Sequence, residues 1–201
     1  MRMRLVTVVM LAVVVASAAA ANAQMPMAAG SSTAAGTITT PSKAVDSQLS
    51  LIESEMMGAV KAMPAEKFAF APSAAIFVPG QATDFATVRT FAQQAAHVAQ
   101  ANYFFYAAVS GLKPDVDMKG MSNLTKKEDV VAALAASFAF GHKAIATLTV
   151  ANAFEVIQIQ EPGIYTRATL AEFGVSHAFD HYGQMVEYLR MNGMVPPASA
   201  K

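Results

Sequence analysis

From Leu170 to Tyr188 the core-type residues fall at Leu170, Phe173, His177, His181, Met185 and Tyr188, a spacing that an α-helix gathers onto one stripe. The opposite face carries Glu172, Ser176, Asp180 and Glu187, so the stripe and both of its histidines must face a core. Thr169 with Glu172 reads as the capping box that opens this helix. Asn192-Gly193 reads as its left-handed cap, and Pro196-Pro197 as the stop. A chain that ends in such a helix has to supply other elements to cover the stripe.

Three further stretches have the same character. The first runs from about Ser42 through Leu49, Ile52, Met56 and Val60 to a stop before Pro64. The second is capped at Thr90 with Gln93 and ends near Ser110, before Gly111; the third is capped at Thr125 with Glu128 and continues to about Thr149. Pro72, Pro79 and Gly80 mark a loop between the first two. The segment Ala151 to Thr166 holds Phe154, Val156, Ile157, Ile159 and Ile164, too apolar for a solvated loop, yet Glu161-Pro162-Gly163 prevents a long helix. It is expected to pack down without regular structure. The expected fold is all-α: a four-helix bundle with no sheet.

Met1-Arg2-Met3-Arg4, the apolar run Leu5 to Ala16 and the small residues Ala21-Asn22-Ala23 follow the order of a secretory signal peptide, with cleavage expected after Ala23. No stable membrane span is expected after cleavage, because the stretch thins into Ala and Ser short of the roughly 20 apolar residues a span needs. Gln24 to Pro41 has no apolar period and reads as a flexible tether, which leaves the bundle to residues 42–201. The expected location is periplasmic or secreted. Cleavage removes Arg2 and Arg4 and no acid from a chain with 14 basic and 14 acidic residues, so the remainder is slightly acidic. With its cations scattered and no basic run, nucleic acid is not an expected partner. The chain has no cysteine, so any metal it binds must use His, Asp or Glu.

His177 and His181 stand at i and i+4, one above the other, and can offer two imidazoles to one ion. The spacing alone leaves open two structural histidines instead. His97 shares a stripe with Ala101, Phe104 and Ala108 on the second helix, which points it at the core. At roughly 1.5 Å per residue His97, His177 and His181 all lie near mid-bundle, whichever way their helices run. His142 lies about sixteen residues into the third helix and is level with His97 only if helices two and three are antiparallel. The connection from Gly111 to Leu124 can stretch to roughly 46 Å, enough to cross the bundle and make them parallel, so a structural or supporting role is expected for His142. His-x-x-Asp-His, with Asp180, has the order of an inverted zinc-protease motif, but Asp is shorter than the usual Glu and lies on the polar face.

At these residues the chain resembles the DinB-like family of bacterial four-helix proteins. The likeness covers about Ser42 to Ser199 and is strongest over His177 to Ser199 and over Arg89 to Phe105. It implies an up-down-down-up bundle with a long crossover between helices two and three. It also implies a three-histidine site of His97, His177 and His181 for one divalent metal, with no ligand place for His142. Zinc is the first choice, nickel or iron next, since imidazole suits all three. Characterised relatives include metal-dependent thiol-group transferases, so the implied function is a metal-dependent transferase or related enzyme. The alternative is a non-catalytic metal- or ligand-binding protein of the envelope with a structural ion. A small-molecule or thiol ligand fits the first, and a homodimer is left open.

Overall fold

In a computed structural model of the chain, residues 34–73, 76, 78–82, 84–159, 163 and 165–200 are described. The expected signal peptide and most of the expected tether lie outside them. Four helices make up the fold: α1 (Pro41–Ala62), α2 (Phe91–Ser110), α3 (Lys127–Ile145) and α4 (Arg167–Met191). Among the described residues no helix is long and apolar enough to cross a membrane.

Local chemistry sets two of these helices as expected. The Thr40 hydroxyl accepts from the Lys43 N–H, Pro41 follows at the first helical position, and α1 ends where Pro64 forbids another turn. In α2, Thr90 and Gln93 form the reciprocal capping box, and Gly111 closes the helix at φ 76°.

The other two begin elsewhere than expected. Helix α3 starts after Lys126 with no side-chain cap, so the Thr125–Glu128 box is not used. Lys127 instead donates from Nζ to the carbonyls of Lys61 and Met63, 2.8 and 2.7 Å away, and so ties its first turn to the carbonyl-rich end of α1. Helix α3 also ends at Ile145, short of Thr149. Helix α4 starts after Thr166, three residues before the expected cap, and Thr169 serves as the partner in the box. Its first N–H groups are already satisfied, Arg167 N–H by the Glu155 carbonyl and Ala168 N–H by the Ala153 carbonyl. At its far end Gly193 takes φ 74°, and the Met194 N–H returns to the Leu189 carbonyl as a left-handed cap requires.

The expectation of no sheet needs one correction. Two short strands, β1 (Val156–Ile157) and β2 (Tyr165–Thr166), pair antiparallel just before α4. The segment packs down only in part. Ala153 is buried and Ile157 and Ile159 lean on the core, but Phe154 is 77% and Val156 56% exposed.

Named contacts give the helix directions. Lys127 at the start of α3 meets the end of α1, while His142 near the end of α3 meets Asp46 near the start of α1, so these two are antiparallel. Helices α2 and α4 are antiparallel as well: the Tyr188 hydroxyl donates to the Arg89 carbonyl at one end, and Arg167 donates to the Val109 carbonyl at the other. Asn102 donates to Ser137 Oγ, and four residues further along both helices the Tyr106 ring lies on Gly141, so α2 and α3 run parallel. Pro197, just past α4, packs on Gly58 near the end of α1, which makes those two parallel. The bundle is therefore up-down-down-up. Its core holds Leu49, Ile52, Met56, Leu134, Phe138 and Leu170, each fully buried and each worth about 1.5–3 kcal/mol over exposure.

One face assignment shifts. Helix α2 buries Ala95, Val98, Ala99, Asn102, Tyr106 and Val109 most deeply, whereas His97, Phe104 and Ala108 are only partly buried. This helix is apolar on most sides, so periodicity could not choose between its core-facing and cleft-facing stripes.

Candidate metal centre

The antiparallel pairing of α2 and α4 brings His97 to the level of His177 and His181, and one ring nitrogen of each lies within 4.8 Å of the others. The Nε2 atoms of His97 and His177 are 3.3 Å apart. Two nitrogens bound at about 2.0–2.1 Å to one ion in tetrahedral geometry would stand about 3.3–3.4 Å apart, so this pair already has a ligand-like separation.

A chain of amides orients the most buried of the three. His181 Nδ1 lies 2.6 Å from Gln94 Oε1, Gln94 Nε2 donates to Gln184 Oε1 at 2.8 Å, and Gln184 Nε2 donates to the Asp180 carboxylate at 3.1 Å. Since Gln94 spends its N–H on Gln184, its carbonyl accepts from His181 Nδ1–H, and the Nε2 lone pair of His181 is left for the cluster. His177 lacks such support: its Nδ1 is buried with no hydrogen-bond partner among the described residues.

All three imidazoles are disposed to be neutral. Burial, then the charge of Arg89 and the neighbouring His177, pushes His97 down to about 4. Burial, then His177 and His97, pushes His181 down to about 4 against the opposing pull of Asp180. Burial lowers His177 too, with Asp180 opposing and Arg89 assisting. Three neutral donors are what a divalent d-block ion requires, and at neutral pH no proton competes for them. The donor set fits such an ion.

The cluster opens onto a cleft of about 400 Å³ in which His97 and His177 are joined by Phe104, Phe105, Ile159, Tyr165 and Phe173. Phe105 packs edge-on to the His177 ring at 5.5 Å, and Phe173, which is 42% exposed, forms the outer wall. A second hollow of about 360 Å³ that also touches His97 is lined by polar groups that include Thr87, Arg89 and Gln93.

His142 stays out of the cluster. Its Nδ1 meets Asp46 at 2.6 Å and its Nε2 meets Glu53 at 2.9 Å, both on α1, which occupies both ring nitrogens. Asp180 is exposed and bound to Gln184, and it is not among the converging ligands. Sequence reasoning missed Gln94, although a glutamine three residues before His97 on an alanine-rich helix was a usable signal. It also missed Arg89 and the aromatic wall.

A family model described as the DinB superfamily matches residues 48–185, a span that includes all three clustered histidines. None of the curated proteins compared with the chain matches it.

Proposed function

The chain belongs to the DinB superfamily, and from that premise we propose that His97, His177 and His181 bind one divalent ion, zinc before nickel or iron, at an open site of transferase type. The observation that carries this reading is the convergence of three neutral imidazoles from two helices at the edge of an apolar cleft. When bound, the ion would supply Lewis acidity, lowering the pKa of a coordinated thiol or water. The protein's own part is to hold the three rings unprotonated, to fix the His181 tautomer through Gln94, and to keep bulk water away with Phe105 and Phe173. A thiol or other small molecule lying in the cleft would meet the ion over His97 and His177. Export belongs to the same reading and rests on the order of residues in Met1 to Ala23.

A non-catalytic metal- or ligand-binding role with a structural ion is the second reading. It is favoured by the lack of a carboxylate among the converging side chains of the described residues, where a general base would stand. Titrating the cobalt-substituted protein with a small thiol separates the two. A shifted visible spectrum, with the fold intact after chelation, supports the open site; a fixed spectrum, with unfolding on chelation, supports the structural ion.

A further inference from the structure

The apolar cleft and the polar hollow share two wall residues, His97 and Gln100, so one histidine of the cluster, His97, stands where two adjoining lobes meet. Their chemistry is opposite. One lobe is walled by Phe104, Phe105, Ile159 and Phe173, and the other by Thr87, Arg89, Gln93 and Ser122, with no acidic residue in either wall among the described residues.

Arg89, an exposed residue, is the arginine left without an acidic partner among the described residues. Among the described residues the other arginines hold glutamates, Arg167 on Glu155 and Arg190 on Glu187, each at 2.8 Å. The Arg89 side chain has neither an ion pair nor a hydrogen bond there, although its backbone carbonyl is pinned by the Tyr188 hydroxyl at 2.9 Å. Beside it, Gln93 has its amide oxygen committed to the Thr90 N–H at 2.9 Å, so the group it has left to offer is its NH₂ donor. A guanidinium with five donors, an amide NH₂ and the Thr87 hydroxyl, with no carboxylate in the wall, make a surface suited to an anion, while Ser122 spends its own O–H on the Lys119 carbonyl.

We propose that the lobe at Arg89 is an anion subsite, and that the molecule bound here is an amphiphilic acid with its apolar body in the aromatic lobe and its carboxylate on Arg89. This deepens and rests on the preceding reading, which supplies the reacting centre at His97, a wall residue that the two lobes share.

The test uses the full chain in metal-free and zinc-loaded forms, with 3-phenylpropionate and its uncharged amide as probes, by calorimetry. In both forms the acid is expected to bind about tenfold more tightly than the amide, a difference of about 1.4 kcal/mol. Arg89→Gln should erase that preference with unchanged helical content, while Phe104→Ala should weaken both probes alike. Equal binding of the two probes, no binding of the acid, or a preference that survives Arg89→Gln overturns the inference. So does a preference seen only with zinc, since the carboxylate would then be on the ion. Because the metal-free arm is independent of zinc, failure of the metal reading appears separately, as absent zinc binding.

Discussion

Gln94 on α2 holds His181 on α4 through a 2.6 Å contact between its amide oxygen and the ring Nδ1, across the interface that also carries His97 and His177. Groups that fix the tautomer of a ligating histidine typically account for 10- to 100-fold in metal affinity. Gln94→Ala should therefore weaken zinc binding by about that factor while leaving one ion per chain at saturation. Competition against a chromophoric chelator measures it, and an unchanged affinity would mean that His181 is positioned by packing alone.

Stoichiometry distinguishes the histidines from one another. His97→Ala, His177→Ala and His181→Ala should each abolish stoichiometric zinc in protein purified without a metal-affinity tag, because each removes one of only three converging donors. His142→Ala should keep the full equivalent, since both nitrogens of that ring are engaged by Asp46 and Glu53. Elemental analysis decides, and loss of metal in the His142 variant would contradict the helix directions.

What could be read from the sequence was what is local. The Thr90–Gln93 box and the His177–His181 pair declare themselves over three or four residues, and the structure has both as expected. The start of α4 did not: Thr169 has the N3 glutamate a capping box favours, yet the helix starts at Thr166, where the carbonyls of Glu155 and Ala153 take up the first N–H groups. Gln94, Arg89 and the partners of His142 escaped for the same reason. The roles of Gln94 and His142 come from residues about ninety positions away, His181 for the one and Asp46 and Glu53 for the other, Arg89 is drawn toward the cluster by the same helix pairing, and no periodicity carries that information.

His142 should make stability pH-dependent with a definite sign. Burial, the largest single influence, opposes its charge, but the hydrogen bonds to Asp46 and Glu53 and the negative charges of both together outweigh it, and its pKa is raised overall. The charged form is then favoured by folding. Its contribution is fully present below the unfolded pKa of about 6.5 and is lost as pH rises through the higher folded value. The difference in urea midpoint between the parent chain and His142→Gln should be largest near pH 5.5 and shrink toward pH 9. A difference that is flat with pH would show the ring neutral throughout.

Tyr106 is threaded between two helices by the absence of side chains at Gly141 and Gly174. A Cβ at Gly141 would lie 2.9 Å from ring carbons of Tyr106 and 3.1 Å from Leu49, while a Cβ at Gly174 would lie 2.9 Å from the Tyr106 hydroxyl and 3.0 Å from Cζ. Alanine normally gains about 1 kcal/mol over glycine inside a helix, but overpacking a core costs about 1–3 kcal/mol, and a buried ring has little room to yield. Both Gly141→Ala and Gly174→Ala should therefore lower Tm, at about 2–4 °C per kcal/mol for a chain of this size. Tyr106→Phe alone should cost little, because the hydroxyl it removes is buried and makes no hydrogen bond among the described residues. The phenylalanine should rescue the two alanines unequally. It deletes the oxygen that meets position 174 and leaves the ring edge that meets position 141, so Gly174→Ala should be partly restored and Gly141→Ala hardly at all. Thermal unfolding of the two double variants reads this directly, and equal rescue of both would mean that the ring moves as a body instead of being held between α3 and α4.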